Sequence, residues 1–285
     1  IPTSWGDIMG QTSDVLLEVK DLRTHFKLSE GMLKAVDDVT FSIARGKTLG
    51  LLGESGCGKS VTALTILRIV PTTARVSGTV HYYGLGKPIE LVGLPPNSET
   101  IRQIRGRDIA MIFQEPMTAF SPVHTIGNQI MEVVQEHEPR PSAEVEARAI
   151  ELLARVGIAM PDRRIKEYPF QLSGGMRQRA MIAMALMMKP KLLIADEPTT
   201  ALDVTIQAQI LRLMKDLQAE MGMSILFITH NLGVITNMAD DIAVMYLGKI
   251  VEQGSVRQVF HNPQHPYTQA LLQSIPQVGR KARHP

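Results

Sequence analysis

The chain contains the segment Gly53-Glu54-Ser55-Gly56-Cys57-Gly58-Lys59-Ser60, which matches the phosphate-loop pattern G-x-x-x-x-G-K-[ST]. An apolar run at residues 49–52 precedes it and predicts a buried strand, and the apolar residues 60–70 that follow predict a packed helix. In this setting glycines let backbone N–H groups face phosphate oxygens, and the helix N-terminus adds partial positive charge. We therefore predict a nucleotide site at residues 53–61, from Gly53 to Val61, in which Lys59 neutralises the β- and γ-phosphates and Ser60 is an Mg²⁺ ligand.

The composition is that of a globular protein with nearly balanced charge. The 285 residues are 44% hydrophobic and 20% charged, and 30 Lys and Arg against 28 Asp and Glu give a net charge of +2. These values exclude a disordered chain and a collagen-like one. They also argue against a nucleic-acid binder, which usually has a clear basic excess. The length fits one large or two modest domains.

Cysteine content and hydropathy predict a compartment. Cys57 is the one cysteine of the sequence, so no intramolecular disulfide and no multi-cysteine metal site can form, which favours a reducing cytosol. The longest apolar run, residues 180–188, is far shorter than the roughly 20 residues of a membrane span. We expect a soluble chain without a secretory signal, whose residues 1–13 are unstructured or left over from cloning.

Hydrophobic patterning predicts a β-rich front, a helical insert and an alternation of strands and helices. This order indicates an α/β fold around a mainly parallel sheet. The predicted strands are residues 15–20, 39–43, 49–52, 77–83, 109–113, 192–195 and 224–229, with a hairpin at 241–253 around Leu247-Gly248. The predicted helices are residues 60–70, 129–136, 143–156, 175–188 and 205–220.

Acidic residues end one of the apolar strands. Asp196 and Glu197 follow the run Leu192-Leu193-Ile194-Ala195, at the strand end where ligands bind in such sheets. Such an acid is often only a helix cap or a solvated strand end. Downstream of a phosphate loop, however, we assign Asp196 to Mg²⁺, held through its water shell, and Glu197 to polarising the attacking water.

A second anion site is predicted at Ser173-Gly174-Gly175. Adjacent glycines that open a helix leave bare N–H groups at the positive end of the helix dipole. The alternative is an ordinary serine N-cap with glycines in a turn. His230 ends a later strand, where a histidine can equally be a structural residue with its hydrogen bonds satisfied.

Six features follow one another along the chain: the phosphate loop, Gln114, the Ser-Gly-Gly segment, the Asp-Glu pair, Asp203 and His230. In this order they resemble the motifs of the ATP-binding cassette ATPases, and the resemblance covers about residues 15–276. The resemblance implies a P-loop NTPase (RecA-like) core with an antiparallel β subdomain and an α-helical signature subdomain. It implies that Gln114, in the Q-loop, touches Mg²⁺ and couples to a membrane partner. It makes Ser173-Gly174-Gly175 the signature and Asp203 the D-loop contact.

Two further roles follow from the same resemblance. His230 is implied to be the switch histidine that reaches the γ-phosphate. Phe26 stands where the family stacks an aromatic ring on adenine, although a phenylalanine of the core or of an edge strand fits the sequence as well. The implied division is residues 14–113 for the β-rich and phosphate-loop part, 114–176 for the helical signature subdomain, 177–258 for the rest of the core and 259–285 for a C-terminal extension.

The signature and the extension resemble one branch, the D-type ATPases of dipeptide, oligopeptide and nickel importers. Met176 stands where the family most often has Gln, and His265-Pro266-Tyr267 lies in an extension of that branch's type. Many members continue into a cysteine-containing iron–sulfur segment. Those cysteines are absent here, so the sequence supports no such cluster; either the protein lacks it or the sequence ends before it.

The resemblance implies a transport ATPase on the cytoplasmic face of the inner membrane, with MgATP sandwiched between two cassettes. The implied partners are a homologous second ATPase, or a second copy, two transmembrane permeases and, indirectly, an external solute-binding protein. Phe120 and Val123 are expected to be exposed and to line the groove for a permease helix. Peptide is the expected cargo, with nickel or oligosaccharide as alternatives.

Other functions remain as alternatives. A soluble cassette of DNA repair or translation would bind nucleic acid, but such proteins usually carry a large coiled-coil insertion or two cassettes. A module that binds ATP without hydrolysis is disfavoured by Glu197 and His230. His261 and His265 suggest a metal site, but the neighbouring prolines favour a turn. The sixteen methionines suggest copper handling less than flexible apolar packing.

Overall fold

The computed structural model describes residues 14–115, 119–138, 140–200 and 202–274. The prediction for residues 1–13 lies outside the described residues, as does the end of the C-terminal extension beyond Ser274. Alternating strands and helices do build an α/β fold, and its strands form two sheets.

The first sheet is antiparallel and has four strands. Its order is β2-β1-β4-β5, with pairs β1–β2, β1–β4 and β4–β5 all antiparallel. Its strands are β1 (Val15–Leu28), β2 (Gly31–Ala44), β4 (Ala74–Leu85) and β5 (Lys87–Glu90). The first two strands are longer than their apolar runs, because the polar hairpin between them continues the ladder out to Leu28 and Gly31.

The second sheet has six strands in the order β10-β9-β3-β8-β7-β6. The five strands from β9 to β6 are parallel, and β10 pairs antiparallel with β9. Its strands are β3 (Thr48–Leu52), β6 (Ile109–Ile112), β7 (Leu192–Asp196), β8 (Ser224–Thr229), β9 (Asp241–Tyr246) and β10 (Lys249–Ser255). The predicted hairpin is confirmed: Leu247 and Gly248 both have positive φ, as a type I′ turn requires.

The central strands are buried on both sides, because successive side chains of a strand point to opposite faces. Leu193 and Ala195 of β7 enter a core cluster with the helices of the insert. Leu192 and Ile194 enter another, shared with the antiparallel sheet. Uninterrupted apolar runs, rather than alternating ones, are therefore what this sheet requires.

Ten α-helices and one 3₁₀ turn can be assigned among the described residues. The insert contributes α3 (Ile126–Gln135), α4 (Ser142–Arg155), α5 (Pro161–Arg164) and the 3₁₀ turn Pro169–Gln171. The core carries α1 (Lys59–Ile66), α2 (Glu99–Ile104), α6 (Gly174–Leu186), α7 (Val204–Met221) and α8 (Leu232–Met238). The C-terminal region forms α9 (Val256–His261) and α10 (Pro266–Gln273).

Two details of the sequence interpretation are wrong. Helix α1 ends at Ile66 rather than near Val70, because Arg68 adopts a left-handed φ of 56° that ends the helix. Phe120 is only 4% exposed and packs in the core cluster of the insert, so it cannot line an external groove. Val123 is 72% exposed, as expected.

Candidate nucleotide site

The predicted site residues lie at one edge of the parallel sheet. Neighbouring strands β3, β8, β7 and β6 end together, with Leu52 opposite Thr229, Asp196 opposite Ile228 and Ile112 opposite Ala195. Gly53, Glu197 and His230 each follow directly on one of these strands, and Gln114 lies two residues beyond Ile112. Segments that are distant in sequence therefore converge at the carboxyl edge of the sheet.

The phosphate loop depends on glycine at positions where the chain turns or is crowded. Gly56 and Gly58 have φ values of 80° and 111°, which favour glycine. A Cβ on Gly58 would also collide with the carbonyl oxygen of Ala35. The loop is thus pressed against the antiparallel sheet on one side, while Glu54, Ser55 and Gly56 remain exposed.

Lys59 is folded over its own loop. Its ammonium donates hydrogen bonds of 2.8 Å to the carbonyl oxygens of Gly53 and Glu54, and the residue is only 5% exposed. Helix α1 begins at this residue, so its positive end and the lysine charge lie together. This arrangement suits a bound polyphosphate.

Ser60 and Asp196 fit a magnesium ion. Burial raises the pKa of Asp196, and a hydrogen bond from Ser60 acts in the opposite direction. The carboxylate is nearly inaccessible, and its Oδ1 atom has no hydrogen-bond partner. A hydroxyl beside an unpartnered carboxylate oxygen provides the hard oxygen ligands that Mg²⁺ prefers. Among the described residues, no cluster of three or more His, Cys, Asp or Glu side chains is placed to hold a metal.

Glu197 is the centre of a hydrogen-bonded network. Its Oε1 lies 3.0 Å from Nδ1 of His230, and its Oε2 accepts bonds from Gln114 (3.2 Å) and Thr200 (3.0 Å). Burial acts to raise the pKa of this carboxyl, but the bonds from His230 and Thr200 and the nearby Lys59 outweigh it, so the pKa lies below the usual range. The carboxylate is therefore ionised and fixed in place.

The backbone of Glu197 adopts a left-handed φ of 46°, which is unfavourable for residues other than glycine. Its N–H donates to the carbonyl of Ile228 on the adjacent strand at 2.9 Å, which holds this conformation. Strained backbone of this kind is common at functional sites. His230 is about half exposed, so it bridges the buried carboxylate and the surface.

The Ser-Gly-Gly segment stands apart from the phosphate loop of the same chain. Ser173 caps α6 by accepting a bond from the N–H of Met176, and a Cβ on Gly174 would meet no atom within 4 Å. Asp203 caps α7 through the N–H of Ile206 at 2.8 Å. In the described parts of the chain, no hydrogen bond joins these residues to positions 53–60.

The remaining predicted residue, Phe26, is half-buried on β1, opposite Leu33 and Ala74. Thr24 ties this strand to α1 through a 2.8 Å hydrogen bond with Thr65. The strand is thus fixed to the helix that follows the phosphate loop. Contact between Phe26 and adenine stays a prediction.

Two contributions to the site were not expected. Thr200, three residues after Glu197, supports its carboxylate, and this short spacing from the acidic pair is a signal that would have indicated it. Tyr267, singled out only as part of the C-terminal motif, reaches the phosphate loop. His265 accepts a bond from the N–H of Tyr267 and so caps α10, in agreement with the turn expected there.

The region of the chain that carries the site matches a known protein family. Residues 36–200, which span the phosphate loop, the signature and the acidic pair, match the ABC transporter family. The chain belongs to the ABC transporter family. Residues 251–285 of this ABC cassette also match the family described as the oligopeptide/dipeptide transporter C-terminal region.

Proteins of similar sequence are named as ATP-binding proteins of peptide transport. The ABC cassette is 53% identical over 277 residues to the "Probable peptide ABC transporter ATP-binding protein" of Sinorhizobium fredii, covering 96% of this chain and 81% of that protein. It is 51% identical over 261 residues to the "Oligopeptide transport ATP-binding protein OppD" of Bacillus subtilis, covering 92% and 72%. The resemblance to cassette ATPases of the peptide-importer branch is confirmed.

A solved structure supports the fold. A dimeric ATP-binding cassette in a post-hydrolysis state with ADP and Pi superimposes with a TM-score of 0.74 at 27% identity, covering 85% of this chain and 99% of that one. The predicted P-loop NTPase fold of the ABC cassette is confirmed. Among the described residues, no helix is both long and apolar enough to cross a membrane.

Proposed function

We propose that this ABC cassette binds and hydrolyses MgATP to energise the import of dipeptides or oligopeptides by a membrane complex. The observation that carries the proposal is the carboxylate of Glu197, ionised and fixed by Gln114, Thr200 and His230, at the sheet edge that also holds the phosphate loop. The ATPase subunits of peptide importers to which the chain is similar support the cargo class.

In this proposal the phosphate loop binds the phosphates of ATP, and Glu197 orients the water that attacks them. The β- and γ-phosphates are held by the charge of Lys59 and by those N–H groups of residues 53–60 that the chain itself does not engage. Ser60 and Asp196 would hold Mg²⁺, which when bound neutralises charge on these oxygens. Oε1 of Glu197 has His230 as its one partner and so keeps a free lone pair, with which the carboxylate can orient a water and accept its proton. We assign His230, half exposed beside this carboxylate, to contact with the γ-phosphate.

A second cassette is part of the proposal. Ser173 and Gly174 are exposed, and the N–H groups of Gly174 and Gly175 lie in the first turn of α6, where the helix offers them no backbone acceptor, so they can bind an anion from outside. We assign this role to the γ-phosphate bound by an opposing cassette, either a homologous subunit or a second copy. Asp203 lies beside the signature, because Gly175 and Ile206 are close neighbours. The dimeric solved cassette supports this arrangement.

The membrane partner docks, in this proposal, on an exposed apolar surface formed by Val123, Tyr168 and Phe170. The rings of Tyr168 and Phe170 stack with centroids 5.6 Å apart. Backbone bonds from Ile126 to Glu167 and from Gly127 to Ile165 hold the two segments together. Val123 follows closely after Gln114, which donates to Glu197, so a permease helix bound at this surface would be coupled to Glu197 through that segment. In the same proposal the cassette works at the cytoplasmic face of the inner membrane, with a solute-binding protein on the other side.

Replacing Glu197 by Gln tests the catalytic assignment. The amide keeps the shape of the side chain but accepts no proton, so MgATP should bind with unchanged affinity while turnover falls by about 10²–10⁴-fold. Binding is measured by titration with a fluorescent ATP analogue, and turnover by phosphate release from the complex with its permeases. Glu99→Gln, an exposed change outside the site, is the matched control. Full turnover in Glu197→Gln would remove this residue from its role.

The cargo is tested by uptake into vesicles that contain the assembled complex. Labelled dipeptides and a pentapeptide should be accumulated in an ATP-dependent manner, whereas nickel and a trisaccharide should not. Accumulation of nickel alone would contradict the peptide assignment and leave the ATPase role intact.

A further inference from the structure

The C-terminal motif His265-Pro266-Tyr267 has no role in the proposed function, although Tyr267 reaches the phosphate loop and several hydrogen bonds fix the backbone around the motif. Ser255 and Gln258 form a capping box at the start of α9. The carboxylate of Glu252 then accepts the N–H groups of Gln264 (2.7 Å) and His265 (3.0 Å), which fixes the turn after that helix. The backbone that leads into α10 is therefore held by the side chain of Glu252, which lies on β10.

The first two residues of the motif start α10. The Nδ1 atom of His265 accepts the N–H of Tyr267 at 3.1 Å, and Pro266 occupies the first helical position, where its missing N–H costs nothing. Tyr267, Leu271 and Leu272 pack against a core cluster that includes Leu52, the last residue of β3. Helix α10 is thus seated where β3 runs into the phosphate loop.

From this position Tyr267 contacts the loop. Its hydroxyl oxygen accepts a hydrogen bond from the backbone N–H of Glu54 at 3.3 Å. Its ring packs on Tyr246 with centroids 4.2 Å apart. Burial raises the pKa of the Tyr267 hydroxyl, so it stays neutral at physiological pH.

The loop is held at a second point by the same region. Tyr246 leads into the β9–β10 turn, and Gly248 in that turn donates its N–H to the carbonyl of Cys57 at 2.9 Å. The two contacts fall on either side of Ser55 and Gly56, which are exposed. The curved backbone between them has fixed ends, although only the Tyr267 contact comes from the extension.

We propose that Tyr267 is a positioning residue of the ATP site: its hydroxyl fixes the Glu54 amide and thereby keeps the phosphate loop curved for phosphate. The proposal rests on the proposed role of residues 53–60 in binding ATP. It gives the C-terminal region, matched here to a family of oligopeptide transporter segments, a function in nucleotide binding within the same chain.

The test compares Tyr267→Phe with Tyr246→Phe in the full chain. Each change removes one hydroxyl and keeps the ring, but only the first removes the bond to Glu54. Loss of one such bond should weaken MgATP binding by about 2–10-fold. In the complex with its permeases, KM for ATP should rise by the same factor with kcat preserved. Hydrogen exchange of the Glu54 amide should accelerate, with the melting temperature unchanged. Tyr246→Phe should match the wild type in all four measurements.

Three results would overturn the proposal: wild-type affinity in Tyr267→Phe, equal weakening in both variants, or a fall of kcat alone. A wild-type chain that binds no ATP would instead refute the proposed function. In that event, exchange of the Glu54 amide would still decide whether Tyr267 holds the loop, because that measurement requires no nucleotide.

Discussion

At Gly53 the first glycine of the phosphate loop is required by space rather than by backbone angles. A Cβ there would run into the carbonyl oxygen of Met245 and lie 2.7 Å from the Cys57 sulfur. Met245 belongs to β9, so the start of the loop is fitted against the neighbouring strand. That carbonyl belongs to the backbone of a buried strand, so the loop rather than the strand would have to shift.

Gly53→Ala should therefore displace the loop. We expect a loss of about 1–3 kcal/mol in the free energy of unfolding, as for overpacking elsewhere, and at least tenfold weaker MgATP binding. Denaturant unfolding and ATP titration measure the two quantities. Gly233→Ala is the control, since its Cβ would meet only the Asn231 side chain at 3.4 Å. Equal affinity in the Gly53 and Gly233 variants would show that the loop tolerates the displacement.

At the level of elements, two helix starts have a structural and a proposed functional role at once. Ser173 and Asp203 are the N-caps of α6 and α7; for Ser173 this is the structural alternative that the sequence offered. A serine cap leaves the N–H groups of Gly174 and Gly175 free, so capping and anion binding are compatible in the signature. Capping by itself therefore does not argue against the functional assignment.

Asp203 allows the two roles to be separated. Asp203→Ala removes the cap and should lower the free energy of unfolding by about 1 kcal/mol, whereas Asp203→Asn keeps a side-chain oxygen for the N–H of Ile206 and should change it by only a few tenths. Thermal and denaturant unfolding give the comparison. If the D-loop assignment holds, turnover of the assembled complex should fall in both variants. Normal turnover in Asp203→Asn would leave Asp203 as a cap.

On the scale of the whole molecule, the cassette has surfaces that its own chain does not cover. Phe170 is 65% exposed and stacked on Tyr168, and the segment that carries the exposed Val123 is bonded to theirs through Ile126 and Glu167. Large apolar side chains grouped at the surface commonly mark an interaction site. Here they lie on the insert rather than on the sheet, so a partner bound to them would move the insert.

Phe170→Asp should abolish assembly with the permeases, because it places a charge in the apolar contact. ATP affinity of the isolated chain should stay within twofold of the wild type, since the residue lies outside the nucleotide site. Co-purification of tagged permeases and ATP titration measure the two effects. Leu85→Asp is the control, an exposed leucine on the antiparallel sheet. Normal assembly of the Phe170 variant would exclude this surface.

Much of the molecule could be predicted, because its decisive residues are local in sequence. The apolar runs at residues 49–52, 192–195 and 224–229 became the central strands, and glycines marked the loop that follows β3. The hairpin at Leu247-Gly248 was predicted for the same reason, since positive φ at two turn residues is a local property. Burial was harder: Phe120 lies in a core that only packing reveals.

The sequence by itself determined the α/β class, the phosphate loop, the acidic strand end and the family, because each depends on residue types at short spacing. Only the tertiary structure decided that Thr200 and Gln114 share an oxygen of Glu197, that Ser60 contacts Asp196, and that Tyr267 holds the N–H of Glu54. The physical reason is that strand order brings distant chain segments to one sheet edge. A hydrogen bond across more than 200 residues leaves no periodic trace in the sequence.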